Sequence, residues 1–306
     1  MAAKIVVVGD FNADLVTYLK RLPRPGETLN GHNFLTGSGG KGSNQAIAAA
    51  RLGADVTFVG RVGQDSFAEI GLKLWQQENI NTDYLVRDFE NPSGIATIFV
   101  GDDGENMIVV AQGANLKLSP ADVDEAVSAI ARADVLITQL GLQFETVAHA
   151  LKVAKEQGTV TILNPAPAGA LSPDVLALAD YITPNEGELR ALTPNVDAAA
   201  DAGIEEAARS LLTHDAQTVV VTLGANGACW VQRGGSDQVP AFKAEVVDTV
   251  GAGDAFNAAF AVALAEGKAL PEALRFANAA AAICVTRPGA AAAMPARAEV
   301  DELLSS

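Results

Sequence analysis

The chain has 306 residues, of which 49% are hydrophobic and 19% charged, and its formal net charge is −16. This composition predicts a well-filled core in one large domain or two smaller ones, and it argues against a disordered chain. Nucleic acid is not an expected partner, because phosphate backbones are bound by clustered Lys and Arg and no basic run occurs in this sequence.

The sequence also argues against a membrane or secreted protein. The longest apolar stretches, such as residues 276–285, are too short and too rich in Ala to span a bilayer. The apolar run 4–9 ends in Gly without a longer hydrophobic region or a cleavage site, so it predicts a buried strand instead of a signal peptide. Two cysteines are too few for a disulfide framework. We therefore expect a soluble, cytoplasmic protein with no membrane partner.

Short β-branched runs alternate with Ala-rich stretches along most of the chain. The predicted buried strands are residues 5–9, 56–60, 135–139, 160–164, 181–183 and 219–223. The predicted helices are residues 43–52, 66–78, 120–131, 144–157, 186–192, 205–213 and 256–264. This alternation implies an α/β fold with a mostly parallel sheet that is covered on both faces, and ligands then bind beyond the carboxyl ends of the strands.

Two segments interrupt the alternation. Residues 15–34 contain Pro23, Pro25 and Gly26 and have no helical period, whereas residues 93–111 are typical of a hairpin with a polar turn at 101–105. Together they predict a small antiparallel sheet that acts as a lid on a single domain of residues 1–306. The lid segments are about 12–36 and 92–112. An ordinary excursion at the edge of the sheet is the alternative.

The segment 9–14 ends the first predicted strand with Asn12 and Asp14. On an extended chain these two side chains point to the same side, which suits the binding of adjacent hydroxyls on a sugar. The alternative is a turn that is stabilised by Asx hydrogen bonds.

A Gly-rich segment, residues 37–45, precedes the next predicted helix. It lacks the phosphate-loop spacing, because Lys41 is followed by Gly42, and no strand directly before it supports a dinucleotide fingerprint. We expect its glycines to allow the close approach of a small ligand. Lys41 and Asn44 would then offer a cation and an amide to hydroxyl groups.

Three further segments follow later strands or lie on the last helices. In residues 183–188, Asn185 and Glu188 either order a magnesium–water–phosphate network or are ordinary acids and polar groups of a first helical turn. Residues 222–227 predict a tight turn whose glycines let a flat nucleotide pass close to the backbone, and Asn278 would approach the same base.

The segment 248–256 carries the strongest chemical prediction. Its Gly-Ala-Gly turn leads into a helix, whose free N–H groups and dipole attract phosphate. Asp254 at the same place makes sense as a base that takes the proton of a hydroxyl group, and this combination is what a phosphotransferase requires. The alternative is an Asp N-cap on an ordinary helix. Asp248 lies too far back to join in catalysis but is free to bind a cation.

Taken together, these segments resemble the ribokinase (PfkB-type) family of carbohydrate kinases. The matching segments cover essentially the whole chain in the right order, and they are residues 9–14, 39–46, 164–167, 183–188, 222–227, 248–254 and 285–290. The resemblance implies a three-layer α/β fold with a mostly parallel central sheet and a small antiparallel β lid. It also implies ATP-dependent phosphorylation of the primary hydroxyl of a sugar, first of all D-ribose to ribose 5-phosphate. A homodimer formed through the lid is expected.

The resemblance assigns roles to individual residues. It implies that Asp254 is the base and that the N–H groups of Gly251, Ala252 and Gly253 stabilise the transferring phosphoryl group. The implied sugar-binding residues are Asn12, Asp14, Gly40, Lys41, Asn44 and Asp254. The implied ATP-site residues are Asn185, Thr222, Gly224, Gly227, Gly253 and Asn278, with Glu188 supporting Mg²⁺. The implied site for a monovalent cation, usually K⁺, is formed by Asp248 and the carbonyl of Val250, with Cys284, Arg287 and Gly289 as secondary main-chain candidates.

Two positions depart from the family pattern. Gly141 stands where ribokinases typically place a glutamate that contacts the sugar, and Glu145, one helical turn on, is not expected to replace it. We expect that this loss enlarges the site or shifts its preference, and that Gly141→Glu raises the affinity for ribose. Ala293 stands where a serine hydroxyl often contributes to the cation loop, so dependence on potassium would be altered.

Other functions stay open at this point. The kinase could act on another pentose, a ketose or a nucleoside, although a nucleoside needs an aromatic or apolar wall and aromatics are only 5% of the chain. A catalytically silent sugar-binding protein on the same fold would have no physical reason to keep a base beside an anion hole. An oxidoreductase is disfavoured, since no dinucleotide fingerprint follows the first strand.

Overall fold

The computed structural model describes residues 2–196 and 201–306. Its strands are β1 (Lys4–Val8), β2 (Asn12–Leu19), β3 (Asn33–Gly39), β4 (Asp55–Gly63), β5 (Leu85–Asp88), β6 (Gly94–Gly101), β7 (Asn106–Ala111), β8 (Val135–Gln139), β9 (Val160–Asn164), β10 (Tyr181–Ile182), β11 (Thr218–Thr222), β12 (Ala228–Gln232) and β13 (Gly235–Val239). Its α-helices are α1 (Lys41–Arg51), α2 (Ala68–Gln77), α3 (Pro120–Glu125), α4 (Val127–Ile130), α5 (Phe144–Gln157), α6 (Pro173–Leu176), α7 (Glu186–Leu192), α8 (Asp201–Ser210), α9 (Ala252–Ala265), α10 (Leu270–Cys284) and α11 (Arg297–Ser305). Short 3₁₀ turns are formed by Gly113–Lys117, Gly224–Asn226 and Ala291–Ala293.

The main sheet confirms the predicted parallel arrangement. In the described part of the chain its order is β13-β12-β11-β10-β9-β8-β1-β4-β5. Every pairing from β11 to β5 is parallel, whereas β12 and β13 continue the sheet antiparallel to β11. β1 lies in the interior of the sheet between β8 and β4, so the residues that follow β1 emerge at the centre of its carboxyl edge.

Alternating residues of β1 show why the fold has three layers. Ile5 and Val7 belong to one buried cluster, which they share with residues of α1, α9 and α10. Val6 and Val8 belong to a second cluster, on the side of α5 and α8. Successive side chains of a strand point to opposite faces, so these apolar residues require a helical layer on each face of the sheet.

Small side chains bring α1 and α9 close together. Ala46, Ala48 and Ala49 of α1 are fully buried, as are Ala258 and Ala259 of α9, and the two helices pack against each other. Because alanine adds little bulk, the backbones approach closely enough for side chains at the start of α1 to reach the start of α9. This packing positions the site described below.

Several helix boundaries differ from those predicted. α9 begins at Ala252, four residues earlier than expected, because Gly251 has a φ of 82° and caps the helix in the left-handed region. α1 likewise begins at Lys41, directly after Gly40. The helix predicted over residues 120–131 is divided into α3 and α4, and α8 begins at Asp201.

The two segments that interrupt the α/β alternation form a second sheet. Within the described residues its order is β3-β2-β6-β7. The outer pairings, β2 with β3 and β6 with β7, are antiparallel, and the central pairing of β2 with β6 is parallel. The prediction of a separate small sheet is therefore confirmed. Among the helices of the described ranges, none is long and apolar enough to cross a membrane.

Candidate active site

Polar side chains gather where five neighbouring parallel strands end. Asp10 and Asn12 follow β1, and Asn185 follows β10. Gln139, Asn164 and Thr222 are the last residues of β8, β9 and β11. α1 and α9 begin at the same edge of the sheet, which is the usual place for a ligand in an open parallel sheet.

Asp254 lies in the first turn of α9 and is 6% exposed. Its Oδ2 accepts a hydrogen bond from Asn44 Nδ2 at 2.9 Å, and its Oδ1 accepts one from Gln45 Nε2 at 3.0 Å. Burial raises the pKa of Asp254, and this rise is opposed by the charge of Lys41 and by the two amide donors. The carboxylate is therefore fixed in direction and more basic than an exposed aspartate.

A chain of buried amides holds Gln45 in place. Gln45 Nε2 lies 3.2 Å from Asn164 Oδ1, and Gln45 Oε1 accepts from Gln139 Nε2 at 2.6 Å. All three side chains are buried. No role was predicted for these three residues, although a polar residue at the end of an otherwise apolar strand, as at Gln139, was an available signal.

The start of α9 offers backbone donors beside Asp254. Its N-cap is Gly251 and receives no side-chain hydrogen bond, so the alternative interpretation of Asp254 as an N-cap is wrong. The Ala252 N–H points to the Thr249 carbonyl at 3.3 Å. The N–H groups of Gly251 and Gly253 have no acceptor among the residues that the structure describes. Unpaired N–H groups at a helix N-terminus favour an anion.

Asn12 and Asp14 lie at the start of β2, an inner strand of the second sheet. Asn12 donates from Nδ2 to Asp10 Oδ2 at 3.2 Å and accepts from Asn115 Nδ2 at 3.1 Å, so these two contacts orient its amide. Burial, together with the charge of Asp10, raises the pKa of Asp14 to about 7. The charge of Asp254, and then those of Asp10 and Glu188, raise the pKa of Lys41 despite its burial.

Gly40 and Gly42, at the start of α1, lie against the backbone of residues 9–12. Gly40 has a φ of 88°, and a Cβ there would lie 2.7 Å from Phe11 Cα. A Cβ on Gly42 would lie 2.6 Å from the Asp10 nitrogen. Both glycines therefore allow the chain to pack on the backbone of residues 9–12. This contact fixes the position of Lys41 between them. The expectation that glycines of this segment allow a small ligand to approach stays a prediction.

Gly141 also lies against Asp10. A Cβ at position 141 would be 2.7 Å from Asp10 Cγ and 2.8 Å from Oδ2. The Asp10 carboxylate, which the sequence analysis did not single out, thus fills the space in front of residue 141. A side chain at position 141 would require Asp10 to shift. The expectation that Gly141→Glu raises the affinity for ribose stays a prediction.

Asn185 and Glu188 form a capping box at the start of α7. Asn185 Oδ1 accepts from the Glu188 N–H, and Glu188 Oε2 accepts from the Asn185 N–H, each at 2.8 Å. Burial raises the pKa of Glu188, and the charges of both Lys41 and Asp254 act on it. Glu188 therefore caps its helix and also belongs to the electrostatic environment of the site, with Oε1 left for another partner.

Two of the residues predicted to line the nucleotide site, Gly227 and Asn278, lie against the end of β13 and the loop that follows it. Thr222 ends β11 and donates its N–H to the Pro184 carbonyl at 3.0 Å. Asn278 donates to the carbonyls of Val239 and Pro240. A Cβ on Gly227 would lie 2.1 Å from the Val239 carbonyl oxygen, so a side chain at this position would disturb the packing of the loop. At Gly224, by contrast, an added Cβ would meet no atom within 4 Å.

The structure also brings together the residues predicted to bind a monovalent cation. Asp248 accepts from the Val250 N–H at 3.0 Å and, with its other oxygen, from the Gly289 N–H at 2.9 Å. Cys284 Sγ lies 3.9 Å from the Val250 carbonyl oxygen, and Arg287 directs its guanidinium to Glu299. Ala293 is fully buried. Among the described residues no group of three or more His, Cys, Asp and Glu could hold a metal ion.

Comparison with known proteins gives a consistent result along the whole chain. The model of the "pfkB family carbohydrate kinase" matches residues 2–297. The chain is 41% identical to the ribokinase of Haemophilus influenzae, with 99% of both chains covered, and 39% identical to the deoxyribokinase of Salmonella typhi, with 98% of both covered. Among solved structures, Arabidopsis thaliana ribokinase complexed with ribose and ATP superposes with a TM-score of 0.93 at 35% identity, and 100% of both chains is covered. The chain therefore belongs to the pfkB family of carbohydrate kinases.

Proposed function

We propose that this kinase transfers the γ-phosphoryl group of ATP to the primary hydroxyl of D-ribose and forms ribose 5-phosphate. One observation carries the proposal, which is the position of the buried Asp254 carboxylate beside the unpaired N–H groups of Gly251 and Gly253. A base next to an anion site is what phosphoryl transfer to an alcohol needs. The ribokinase relatives and the ribose- and ATP-bound ribokinase support this choice of substrates.

In the proposed reaction, Asp254 accepts the proton of the primary hydroxyl. The hydroxyl oxygen forms the new bond to the γ-phosphorus, and the bond from that phosphorus to the β,γ-bridging oxygen breaks, so ADP leaves. Asn44 and Gln45 keep the carboxylate pointing at the sugar. The raised pKa of Asp254 makes it a better acceptor for this proton.

The start of α9 is the proposed anion hole. The N–H groups of Gly251, Ala252 and Gly253, with the positive end of the helix dipole, would stabilise the charge on the phosphoryl group as it moves. The Ala252 N–H would have to give up its long contact with Thr249 to take part.

The sugar would be held by Asn12, Asp14, Gly40, Lys41 and Asn44. Asn44 supports this assignment, because its Oδ1 is buried and without a partner in the described residues while its Nδ2 is bound to Asp254. A buried acceptor of this kind requires a donor, and a sugar hydroxyl supplies one. Gly40 contributes through its close packing, which fixes Lys41.

The nucleotide would bind near Asn185, Thr222, Gly224, Gly227, Gly253 and Asn278. Glu188 fits an indirect role toward Mg²⁺, since one of its oxygens is engaged in the capping box and the other is not. When bound, Mg²⁺ neutralises charge on the phosphates. Lys41, Glu188 and Asp254 interact electrostatically, and this interaction supports the proposed role of Glu188 near the phosphates.

A monovalent cation such as K⁺ would be bound by oxygen atoms of the turn before α9. Asp248 and the Val250 carbonyl lie together in the turn before α9, with Cys284, Arg287 and Gly289 supplying the facing segment. Hard cations prefer carboxylate and carbonyl oxygens. A bound cation would add positive charge beside the anion hole.

We further infer that residues 1–306 act as one cytoplasmic carbohydrate-kinase domain, with the second sheet as a lid through which two copies pair. An apolar row crosses this sheet, because Leu35 pairs with Val16, Val16 with Ile98, and Ile98 with Ile108. Leu35 and Ile108, at the two ends of the row, are 50% and 47% exposed. An exposed apolar sheet face of this kind is typical of a protein interface.

The second candidate substrate is 2-deoxyribose, which the relationship to the Salmonella typhi deoxyribokinase favours. A coupled ADP-release assay over D-ribose, 2-deoxyribose, other pentoses, ketoses and nucleosides, with and without K⁺, tests both candidates. We expect the highest kcat/KM for D-ribose. Strongest turnover of a nucleoside, or no turnover of any sugar, would refute the proposal.

A further inference from the structure

Asp10 is a buried carboxylate at the centre of the site that the reaction described above does not use. It follows β1 directly and is 4% exposed. Its Oδ1 accepts from the Gly42 N–H at 2.9 Å, and its Oδ2 accepts from Asn12 Nδ2 at 3.2 Å. The carboxylate is thus held between the first turn of α1 and the first residue of β2, which are the two elements that carry Lys41 and Asn12.

The charges around Asp10 favour a neutral ligand that is rich in hydroxyl groups. Asp10 raises the pKa of both Asp14 and Asp254, so the three carboxylates lie within electrostatic reach of one another. An ionised carboxylate offers about four acceptor positions. Gly42 and Asn12 fill only two of these, and buried acceptors require donors. Sugar hydroxyls supply such donors without adding negative charge beside the three carboxylates.

The contact with Gly141 shows that this corner of the site has room for one acidic group only. The loop after β8 passes so close that a Cβ at position 141 would lie within 3.1 Å of three Asp10 atoms, namely Cβ, Cγ and Oδ2. The hydrogen bonds from Gly42 and Asn12 hold the Asp10 side chain in this position. Residue 141 therefore has no side chain, and Asp10 supplies the carboxylate at this position.

We propose that Asp10 is a specificity-determining residue of the sugar site, and that its carboxylate, in the space kept free by Gly141, accepts a hydrogen bond from a sugar hydroxyl other than the one that Asp254 deprotonates. The proposal rests on the proposed function as a sugar kinase. Asp254 lies on α9, whereas Asp10 follows β1. The two carboxylates would therefore contact different hydroxyl groups of the sugar.

The test uses Asp10→Asn, which preserves shape and removes the charge. The kcat/KM values of wild type and variant are compared for D-ribose and for its 1-deoxy, 2-deoxy and 3-deoxy analogues. We expect at least a tenfold loss with ribose, a KM for ATP within twofold of wild type, and a much smaller loss with the one analogue that lacks the contacted hydroxyl. Equal losses of kcat/KM with all four sugars, or no loss with ribose, would overturn the proposed role of Asp10 in sugar selectivity. Equal losses would then indicate that Asp10 serves only the structure of the site.

Two further variants keep the test decisive. Gly141→Ala keeps the Asp10 residue but shifts its carboxylate, because the new Cβ would lie 2.7 Å from Asp10 Cγ. We expect the same change in sugar selectivity as in Asp10→Asn, and this variant remains informative if Asp10→Asn folds poorly. Unchanged sugar selectivity in Gly141→Ala would contradict the proposal. Asp88→Asn is the matched control, because Asp88 is also a buried carboxylate and accepts from Arg61 and Asn91, which are not residues of the proposed site. It should lower thermal stability without changing selectivity.

The proposal and the proposed function fail in different ways. A wild-type protein that phosphorylates no sugar would refute the function. A wild-type protein that phosphorylates ribose, together with an Asp10→Asn variant of unchanged sugar selectivity, would refute only the role of Asp10.

Discussion

Gln45 donates a hydrogen bond from Nε2 to Asp254 Oδ1 across 3.0 Å, from the first turn of α1 to the first turn of α9. The two residues are 209 positions apart in the chain, and both are buried. The bond depends on the alanine contacts that bring the two helices together and on Gln139, which fixes the far end of the Gln45 amide. Gln45 is therefore a positioning residue for the proposed base.

This relationship predicts a shift in pH dependence. A donor to the ionised carboxylate lowers the pKa of Asp254, so its removal in Gln45→Met should raise that pKa. The acid limb of the kcat–pH profile should move to higher pH, and kcat near neutrality should fall about tenfold or more. Gln217→Met is the matched control, since Gln217 is equally buried and donates to two carbonyls elsewhere. An unshifted acid limb in Gln45→Met would argue against the positioning role.

The raised pKa of Asp14 predicts a second pH effect, which acts on sugar binding and not on kcat. Its pKa is about 7, so the side chain is mostly protonated below that pH and loses acceptor capacity for sugar hydroxyls. The KM for sugar should rise as the pH falls from about 8 to 6, while the KM for ATP stays constant. Asp14→Asn should bind sugar weakly at every pH and flatten this dependence. A wild-type sugar KM that does not change over this range would contradict the assignment.

The close packing of Gly227 predicts that its substitution weakens the binding of ATP but not that of the sugar. A Cβ at this position meets the Val239 carbonyl, and a φ of 91° adds strain of about 1–3 kcal/mol to any other residue. Gly227→Ala should therefore lower the melting temperature and raise the KM for ATP without changing the KM for sugar. Gly234→Ala, where a Cβ meets nothing within 4 Å, is the control and should be neutral. An equal change in both KM values for Gly227→Ala would mean that the loop does not serve ATP specifically.

The apolar row on the second sheet predicts the oligomeric state. Light scattering should give about twice the 31.5 kDa chain mass for the wild type and a monomer for Ile108→Asp, because the new charge would be buried at the interface. Phe89→Asp, at an 82% exposed residue outside the row, should stay dimeric. A wild-type protein that is monomeric at all concentrations would refute the proposed pairing.

The sequence predicted the interior of the fold well. β8, β9, α5 and α7 have the predicted bounds, because continuous β-branched runs and helical periods of sufficient length are local signals. β13 was not predicted, since Gly235–Val239 is mostly polar and pairs only at the edge of the sheet. Its position depends on a partner strand and not on its own pattern.

The candidate site was predicted as a set of segments but not as a network. Lys41, Asn44, Asn185 and Asp254 were singled out from their motifs, and the structure brings the segments that carry them to one edge of the sheet. The roles of Gln45 and Asp10 depend on contacts with Asp254 and Gly141 that span more than a hundred residues. Such contacts follow from packing, which no local pattern specifies.

The most direct test of the central claim is the turnover of Asp254→Asn. This variant keeps the shape of the side chain but removes the base, so kcat should fall by about 10²–10⁴-fold or more, while calorimetry gives sugar and ATP affinities close to those of the wild type. Near wild-type turnover in Asp254→Asn would contradict the proposed mechanism.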